Sequence, residues 1–289
     1  MKLTCYTSPH EFLTAAHEAL EAKEVVNSLM LGIVENLVHD PHHYGEGDPY
    51  LAIIEDKGRQ LVRASMTPPF GLVLNFDTIY LTKPIQLLVE DLLERGLPIP
   101  DVSSPKPAAE QFAHTWAELT GGCFELEMAQ RLYELTEVTP PTGIPGELVL
   151  AAEADTDLVA RWMIAFNIDC FGELETDEER IRKGVARSVE KSLWHLWRVD
   201  GQPVSMAIQV RPTRSGISVS GVYTPPEHRK HGYASACVAA LSQQLLDQGY
   251  KFCSLFTDLA NPTSNKIYNR IGYQPVSDFD KFKLVPSQR

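Results

Sequence analysis

Residues 139–146, with the sequence TPPTGIPG, constrain the fold of this 289-residue chain more than any other segment. Three prolines and two glycines among these eight residues oppose both helix and strand, because proline lacks the N–H that either hydrogen-bond pattern needs. The segment is typical of a linker, and it divides the chain into halves of similar length. A chain of this length also favours two domains over one. We therefore predict one domain over residues 1–138 and a second over residues 147–289.

The composition limits the partners of the chain. Apolar residues make up 44% and charged residues 22% of the sequence, as in ordinary globular proteins. A net charge of -12 argues against nucleic-acid binding, which needs clustered Lys and Arg, and it is compatible with an amine substrate. The first ten residues have no apolar run like a signal peptide, and no stretch has the length of a membrane span. We expect a cytoplasmic protein with no membrane partner; the oligomeric state stays open.

Cysteine and histidine do not form a pattern that predicts a metal site. The five cysteines are widely spaced without a C-x-x-C pair, which is typical of reduced thiols. Residues 39–43, HDPHH, bring three histidines together, but a polar loop after a helix explains them better because no fourth ligand follows at a suitable spacing. We predict that the protein holds no metal.

The second half has a clear order of predicted elements: a strand, two helices, three strands, a long helix, a strand, a short helix and two final strands. The second of these helices begins with a capping box at residues 176–179. The long helix begins at Gly232, and the final strands lie near residues 273–276 and 279–284. The first half repeats much of this order more faintly, and residues 123–135 are predicted to form two strands. It is either a diverged duplicate of the second half or an unrelated α/β cap domain.

The segment with the clearest chemistry is residues 222–234, VYTPPEHRKHGYA, which joins a predicted strand to the long helix. The first turn of a helix has N–H groups without internal partners, and the helix dipole adds positive charge there. A diphosphate fits such an end, and Gly232 lets it approach because no Cβ intervenes. The side chains of Arg229, Lys230 and His231 add further donors.

A second segment, residues 261–273, follows after one strand and begins another helix. Together the two segments resemble the GNAT superfamily of acyl-CoA-dependent N-acyltransferases. The first matches the signature Q/R-x-x-G-x-G/A from Arg229 to Ala234. The second matches N-x-x-A-x-x-x-Y-x-x-x-G-F through Asn261, Tyr268 and Gly272. Two departures are mild, since Ser264 replaces alanine and Tyr273 replaces phenylalanine.

The resemblance implies the GNAT fold, an α/β (α+β) arrangement with a mixed, mostly antiparallel twisted sheet flanked by helices, here in tandem with a degenerate copy. It also implies acetyl-CoA as co-substrate and an amine as acceptor. In the family, the strand before the first signature carries a bulge, and its backbone bonds the pantetheine arm; the N–H groups of the turn hold the pyrophosphate. The corresponding cofactor-binding residues here are Val222, Tyr223, Thr224, Arg229, Lys230, His231, Gly232, Tyr233, Ala234, Asn261 and Asn265. Tyr268 would place its hydroxyl beside the thioester sulfur.

The reaction needs a base, an oxyanion donor and an acid. Tyr268 can protonate the leaving thiolate, and the N–H of Val222 can hold the oxyanion. The base is open: the strand at residues 217–223 has no acid, and a water chain ending on Ser220 or Asp258 is one option. Glu227 and His228 lie in the loop, where charges are usually just solvated.

We expect direct transfer in a ternary complex, because no cysteine stands where an acyl carrier is expected. The alternative is a non-catalytic acyl-CoA-binding or sensing module, since a fold does not dictate activity. At the corresponding position of the first half, residues 81–86 read LTKPIQ and contain no glycine. We therefore predict that the first half binds no coenzyme A.

Overall fold

The computed structural model describes the chain except residue 79, residues 173–176 and residues 288–289. The strands are β1 (Lys2–Tyr6), β2 (Tyr50–Asp56), β3 (Arg59–Met66), β4 (Leu72–Phe76), β5 (Asp101–Pro105), β6 (Cys123–Leu135), β7 (Glu147–Leu150), β8 (Trp194–Val199), β9 (Gln202–Val210), β10 (Gly216–Tyr223), β11 (Phe252–Asp258) and β12 (Gln274–Val285). The helices are α1 (Pro9–Glu21), α2 (Glu24–His39), α3 (Thr82–Glu94), α4 (Lys106–Thr120), α5 (Thr156–Phe171), α6 (Glu178–Glu190), α7 (Tyr233–Asp247) and α8 (Pro262–Arg270).

The element order from β1 to β6 is repeated from β7 to β12. Each half runs strand, two helices, three strands, helix, strand, helix and strand. In each half the first four strands pair antiparallel in sequence order, and the fourth pairs parallel with the fifth. The repeated order confirms the predicted duplication and removes the alternative of an unrelated cap domain.

The chain forms two compact units whose bounds differ from the predicted domains. One unit comprises residues 1–132, 256–262 and 275–289, and the other comprises residues 133–255 and 263–274. The main reason is β12, which pairs antiparallel with β5 from Phe279 opposite Pro105 to Lys283 opposite Asp101. The last strand of the chain therefore completes the sheet of the first unit.

The first unit has the strand order β1-β2-β3-β4-β5-β12. Alternate residues of β2 face different cores: Ala52 and Ile54 pack with α3 and α4, whereas Leu51 and Ile53 pack with α1 and α2. This follows from the period of two along a strand. The sheet is therefore covered by a helix pair on each face.

The second unit has the strand order β11-β10-β9-β8-β7. Ala207 of β9 packs with α7, whereas its neighbours Met206 and Ile208 pack with α5 and α6. Both units therefore have the predicted fold class, a mixed and mostly antiparallel sheet flanked by helices.

Two predicted strand pairs are single strands in the structure. The predicted break between residues 276 and 279 is absent, because β12 continues through this stretch and Asp278 there accepts two hydrogen bonds from Arg131, at 2.7 and 2.9 Å. Residues 123–135 likewise form β6 alone. The predicted cap Thr176 lies outside the described residues; α6 begins after Asp177, whose side chain accepts a hydrogen bond from the N–H of Arg180.

Membrane-spanning helices and metal clusters are both absent from the described part of the chain. No helix there combines the length and apolar character needed to cross a membrane. The same residues contain no cluster of three His, Cys, Asp or Glu side chains arranged to hold a metal ion.

Candidate functional site

Strand β10 carries a bulge immediately before the predicted cofactor segment. Its antiparallel register with β9 shifts between Ser220 and Tyr223. Gly221 has a φ of 55°, and a Cβ there would lie 2.9 Å from the ring of Trp194, so only glycine fits this bend. The parallel pairing with β11 covers residues 216–218 only, so β10 runs on for five residues beyond it.

The end of β10 is fixed by hydrogen bonds to its carbonyl groups. Ser205, which is fully buried on β9, donates its hydroxyl to the carbonyl of Tyr223 at 3.1 Å and lies 2.9 Å from the hydroxyl of Thr224. The carbonyl of Thr224 accepts a hydrogen bond from Nε of Arg229 at 3.0 Å. Two of the three backbone positions predicted for the pantetheine arm are therefore already engaged through their carbonyl oxygens.

The turn before α7 has the shape expected for binding an anion. Gly232 is the N-cap residue with a φ of 84°, and no side chain caps the helix. The first helical hydrogen bond runs from the N–H of Ala236 to the carbonyl of Gly232, so the N–H groups of Tyr233 and Ala234 have no partner within the helix. A Cβ on Gly232 would lie 2.6 Å from the side chain of Ile144. The turn therefore fits a diphosphate.

Side chains next to this turn differ in how they are held. Lys230 and His231 are exposed, and Lys230 has a left-handed φ of 69°, which tightens the turn. The ring of His231 stacks on Tyr233 with centroids 5.3 Å apart. Lys230 therefore offers a positive charge at the turn, and Tyr233 anchors His231 beside it.

The guanidinium of Arg229 joins the turn to helix α5. Nη2 of Arg229 lies 2.8 Å from the carboxylate of Asp169, and the guanidinium lies 5.7 Å from the ring centroid of Tyr223. Burial and the charge of Asp169 raise the pKa of the Tyr223 hydroxyl. The side chain of Arg229 thus orders the turn, and a phosphate would rely on backbone N–H groups and Lys230.

Tyr268 lies on α8 with only 8% of its side chain exposed. Its ring packs against Tyr133 and Tyr273, with centroids 6.4 and 5.9 Å away. Burial, followed by the nearby thiol of Cys170, raises the pKa of Tyr268 well above its ordinary value. Because of this raised pKa, the hydroxyl is protonated near neutral pH. It has no hydrogen-bond partner within the described part of the chain, so it is available to an acceptor.

The two predicted asparagines flank the start of α8. Asn261 is exposed, and its N–H donates to the carbonyl of Asp258 at 3.1 Å. Asn265 is half-buried, and its amide oxygen accepts a hydrogen bond from the hydroxyl of Tyr133 at 3.0 Å. Tyr133 therefore contacts both Asn265 and the ring of Tyr268.

The candidates for a general base remain without support. Glu227 is exposed on a single turn of 3-10 helix, Pro226–His228. The carboxylate of Asp258 accepts a hydrogen bond from the N–H of Ala260 at 2.8 Å, which serves a local turn. Ser220 is half-buried at the bulge. None of these contacts singles out a group that takes a proton.

Several residues of the site were not predicted from the sequence. Gly221 was the one with a signal, because a glycine inside a strand pattern indicates a bulge. Asp169, Ser205 and Tyr133 act through contacts between residues far apart in the chain, and no local pattern marks them.

Comparison with known proteins identifies the family of the chain. The sequence model of the acetyltransferase (GNAT) family matches residues 129–273, half of the chain. The chain therefore belongs to the GNAT acetyltransferase family, as its two signatures predict. No curated protein matches it in sequence.

Solved structures share the fold over nearly the whole chain at low sequence identity. A Drosophila protein is 13% identical, with a TM-score of 0.70 over 99% of both chains. A GCN5-related N-acetyltransferase from Sphaerobacter thermophilus is 16% identical, with a TM-score of 0.62 over 99% of this chain and 97% of the other. A tandem GNAT protein from the clavulanic acid biosynthesis pathway is 11% identical, with a TM-score of 0.59 over 100% and 99%. The tandem GNAT fold is therefore shared by proteins of very different sequence.

Proposed function

We propose that the second half of the chain transfers an acetyl group from acetyl-CoA to an amine in a direct ternary complex. The observation that carries this proposal is the turn at Gly232, where a left-handed glycine opens a helix whose first N–H groups have no partner within the helix. Such an end binds a diphosphate through fixed dipoles. Family membership supports acetyl-CoA as the molecule that brings the diphosphate.

The binding roles follow from the groups that the fold leaves available. The N–H groups from Lys230 to Ala234 hold the diphosphate, with the Lys230 ammonium beside them. The carbonyls of Tyr223 and Thr224 already accept hydrogen bonds, so the pantetheine arm depends mainly on the backbone of Val222. Asn261 and Asn265 provide amides on α8 and just before it.

The chemical roles belong to few groups. Bound acetyl-CoA supplies a thioester with a good leaving group. The N–H of Val222 stabilises negative charge on the thioester oxygen. Tyr268 is the acid proposed for the departing sulfur: burial raises its pKa, so the phenol still carries its proton when the thiolate forms and can donate a hydrogen bond to it.

The acceptor must arrive as a neutral amine, or lose its proton inside the site. Water at Ser220 or at the Asp258 carboxylate carries the proton away. Holding the amine against the thioester supplies much of the remaining rate acceleration.

A turnover screen tests the proposal. Acetyl-CoA is incubated with the full chain and a panel of small amines, amino acids, aminoglycosides and peptides, and release of the CoA thiol is followed. Titration calorimetry with CoA runs in parallel. Amine-dependent thiol release supports the enzyme. CoA binding without turnover of any amine would favour the non-catalytic sensing module instead, and failure to bind CoA would overturn both.

A further inference from the structure

The first unit has a cavity of about 380 Å³ at the place that corresponds to the cofactor turn of the second unit. It is lined by Lys23, Arg59, Phe76, Asp77, Thr78 and Tyr80. Lys23 lies between α1 and α2, and Asp77, Thr78 and Tyr80 lie between β4 and α3. The equivalent connection in the second unit, between β10 and α7, contains Gly232.

The cavity cannot bind a diphosphate in the way proposed for α7. Helix α3 begins after Leu81, which has an ordinary right-handed conformation, and no side chain caps it. Pro84 in its first turn has no N–H to offer, and Leu81 lacks the left-handed bend of Gly232. Thr82 and Lys83 at the start of α3 do not line the cavity, so an anion bound in it would meet the side chains of the lining residues.

The side chains around the cavity have an excess of positive charge. Asp77 is the only carboxylate among the lining residues, and its Oδ1 lies 3.0 Å from Nζ of Lys23. Its Oδ2 lies 3.3 Å from Nη2 of Arg63, which stands behind the cavity wall. Arg59 donates from Nη2 to the main-chain carbonyl of Asp77 at 2.6 Å, a neutral acceptor. Two cations therefore share one carboxylate, and a third, Arg59, bonds a neutral carbonyl, in a protein whose net charge is -12.

Arg63 adds a buried positive charge behind Asp77. Its side chain has no exposed surface, and burial lowers the pKa of its guanidinium. Nε donates to Asn75 at 2.9 Å, and Nη2 shares the carboxylate of Asp77 with Lys23. The carboxylate that faces Lys23 is therefore also the counter-charge of Arg63.

An aromatic wall completes the cavity. The side chain of Tyr80 is 80% exposed, and Phe76 is half-buried beside it. A flat group stacked on this exposed ring would remove apolar surface of both from water. The ammonium of Lys23 and the guanidinium of Arg59 attract an anion. A cavity of this size suits a small molecule.

From these observations we infer that the first unit binds a small aromatic anion, a ring bearing a phosphate or carboxylate, between Arg59, Lys23 and Tyr80. The anionic group accepts hydrogen bonds from the remaining N–H groups of Arg59 and Lys23. The ring lies on Tyr80. The site is separate from the acetyl-CoA site proposed on α7, and its existence does not depend on turnover.

The test is a binding titration of the full chain with phenyl phosphate and with benzoate, followed by calorimetry and by ligand-observed NMR. Benzyl alcohol controls for the charge, and inorganic phosphate controls for the ring. We expect saturable binding of phenyl phosphate, benzoate or both, with benzyl alcohol bound weakly or not at all. No saturation by either anion up to about 10 mM, a level that detects even very weak complexes, would overturn the inference.

Variants locate the site. Arg59→Gln and Lys23→Gln should each weaken binding by about tenfold or more, the worth of one hydrogen bond to a charged group. Lys83→Gln, which removes an exposed lysine outside the cavity, should leave binding unchanged. Loss of binding in Lys230→Gln, with Arg59→Gln unaffected, would place the anion at α7 and overturn the inference.

Tyr80→Ala keeps the test decisive if a charge variant fails to fold. Because this side chain is so exposed, its removal should not change the thermal unfolding of the protein. The variant should bind phenyl phosphate several-fold more weakly than the parent, and its affinity for inorganic phosphate should be unchanged. Equal affinities for phenyl phosphate in this variant and the parent would exclude Tyr80 from the site and contradict the proposed geometry.

Discussion

The two units share one element order, but they differ at the connection between the fourth strand and the third helix. In the second unit this connection bends at Gly232 and presents helix N–H groups. In the first unit Leu81 precedes the helix and Pro84 lies in its first turn. The same topology thus has a left-handed glycine turn in one copy and a proline in the first turn of the helix in the other. We expect these few residues, and not the fold, to decide which copy binds a diphosphate.

The final helix of each half carries a second difference. Helix α8 has Tyr268, whereas α4 has no tyrosine and instead buries Trp116. We expect Tyr268→Phe to lower kcat by about 10²–10⁴-fold, the usual worth of a general acid, with CoA affinity unchanged. Steady-state kinetics with the best amine of the screen and CoA calorimetry measure the two effects.

The matched control for this change is Tyr133→Phe, which removes a hydroxyl from the same ring cluster but keeps Tyr268. Its effect on kcat should be much smaller. An unchanged kcat in Tyr268→Phe would show that Tyr268 is not the general acid. The difference between α8 and α4 would then have no role in catalysis.

Each unit has an arginine–aspartate pair near the connection between its fourth strand and third helix. The pairs are Arg63–Asp77 and Arg229–Asp169, and they differ in burial. Arg63 has no exposed surface, whereas the side chains of Arg229 and Asp169 are each about half exposed. Asp77→Asn should lower the free energy of unfolding by about 3 kcal/mol, because a buried guanidinium loses its counter-charge. Asp169→Asn should cost only about 0.2–1 kcal/mol, since solvent screens an exposed pair. Urea unfolding of both variants makes the comparison, and equal costs would show that burial does not separate the pairs.

The turn itself is tested by Gly232→Ala. Alanine is strained at a φ of 84°, and its Cβ would meet Ile144, so the turn must shift. CoA affinity should fall by at least about tenfold, the worth of one hydrogen bond to a charged group. Calorimetry measures this directly.

Gly249→Ala is the control, because Gly249 is also left-handed, with a φ of 105°, but follows the far end of α7. It should lose stability without losing CoA affinity. Similar losses of affinity in the two variants would mean that the turn at Gly232 is not the CoA site.

The smallest effect is expected for Cys170→Ser. The thiol lies near enough to Tyr268 to affect its pKa, so it is the cysteine that a covalent route would use. Direct transfer predicts a kcat within about twofold of the parent, as for most exposed substitutions. Cys123→Ser, at an exposed cysteine of the first unit, is the control. Loss of activity in Cys170→Ser alone, with an acetylated Cys170 in the mass spectrum of the parent, would replace direct transfer by a two-step route.

The sequence was sufficient for the parts of the fold that local chemistry determines. The glycine at position 232 and the spacing to Tyr268 predict the family, because close approach of a backbone to an anion needs a residue without a side chain. The duplication was visible as a repeated order of strands and helices, although the residues themselves have diverged.

What the sequence could not predict depends on partners distant along the chain. The pairing of β12 with β5 joins residues more than half the chain apart, and alternation of apolar residues does not name a strand's neighbour. Asp169 looks like any exposed acid on a helix until the structure places it against Arg229. Arg63 sits within an ordinary strand pattern, and only the structure shows that its guanidinium is buried and short of one partner.

The pairing of β5 with β12 also affects the order in which the protein can mature during synthesis. When the ribosome has made residue 132, β5 still exposes the edge that Phe279 and Phe282 will later cover. About half of the chain must follow, which takes on the order of 10 seconds at usual elongation rates. An open strand edge invites pairing with other chains. The first unit therefore cannot complete its sheet until residues 279–283 have left the exit tunnel, and until then the open edge of β5 can pair with other chains.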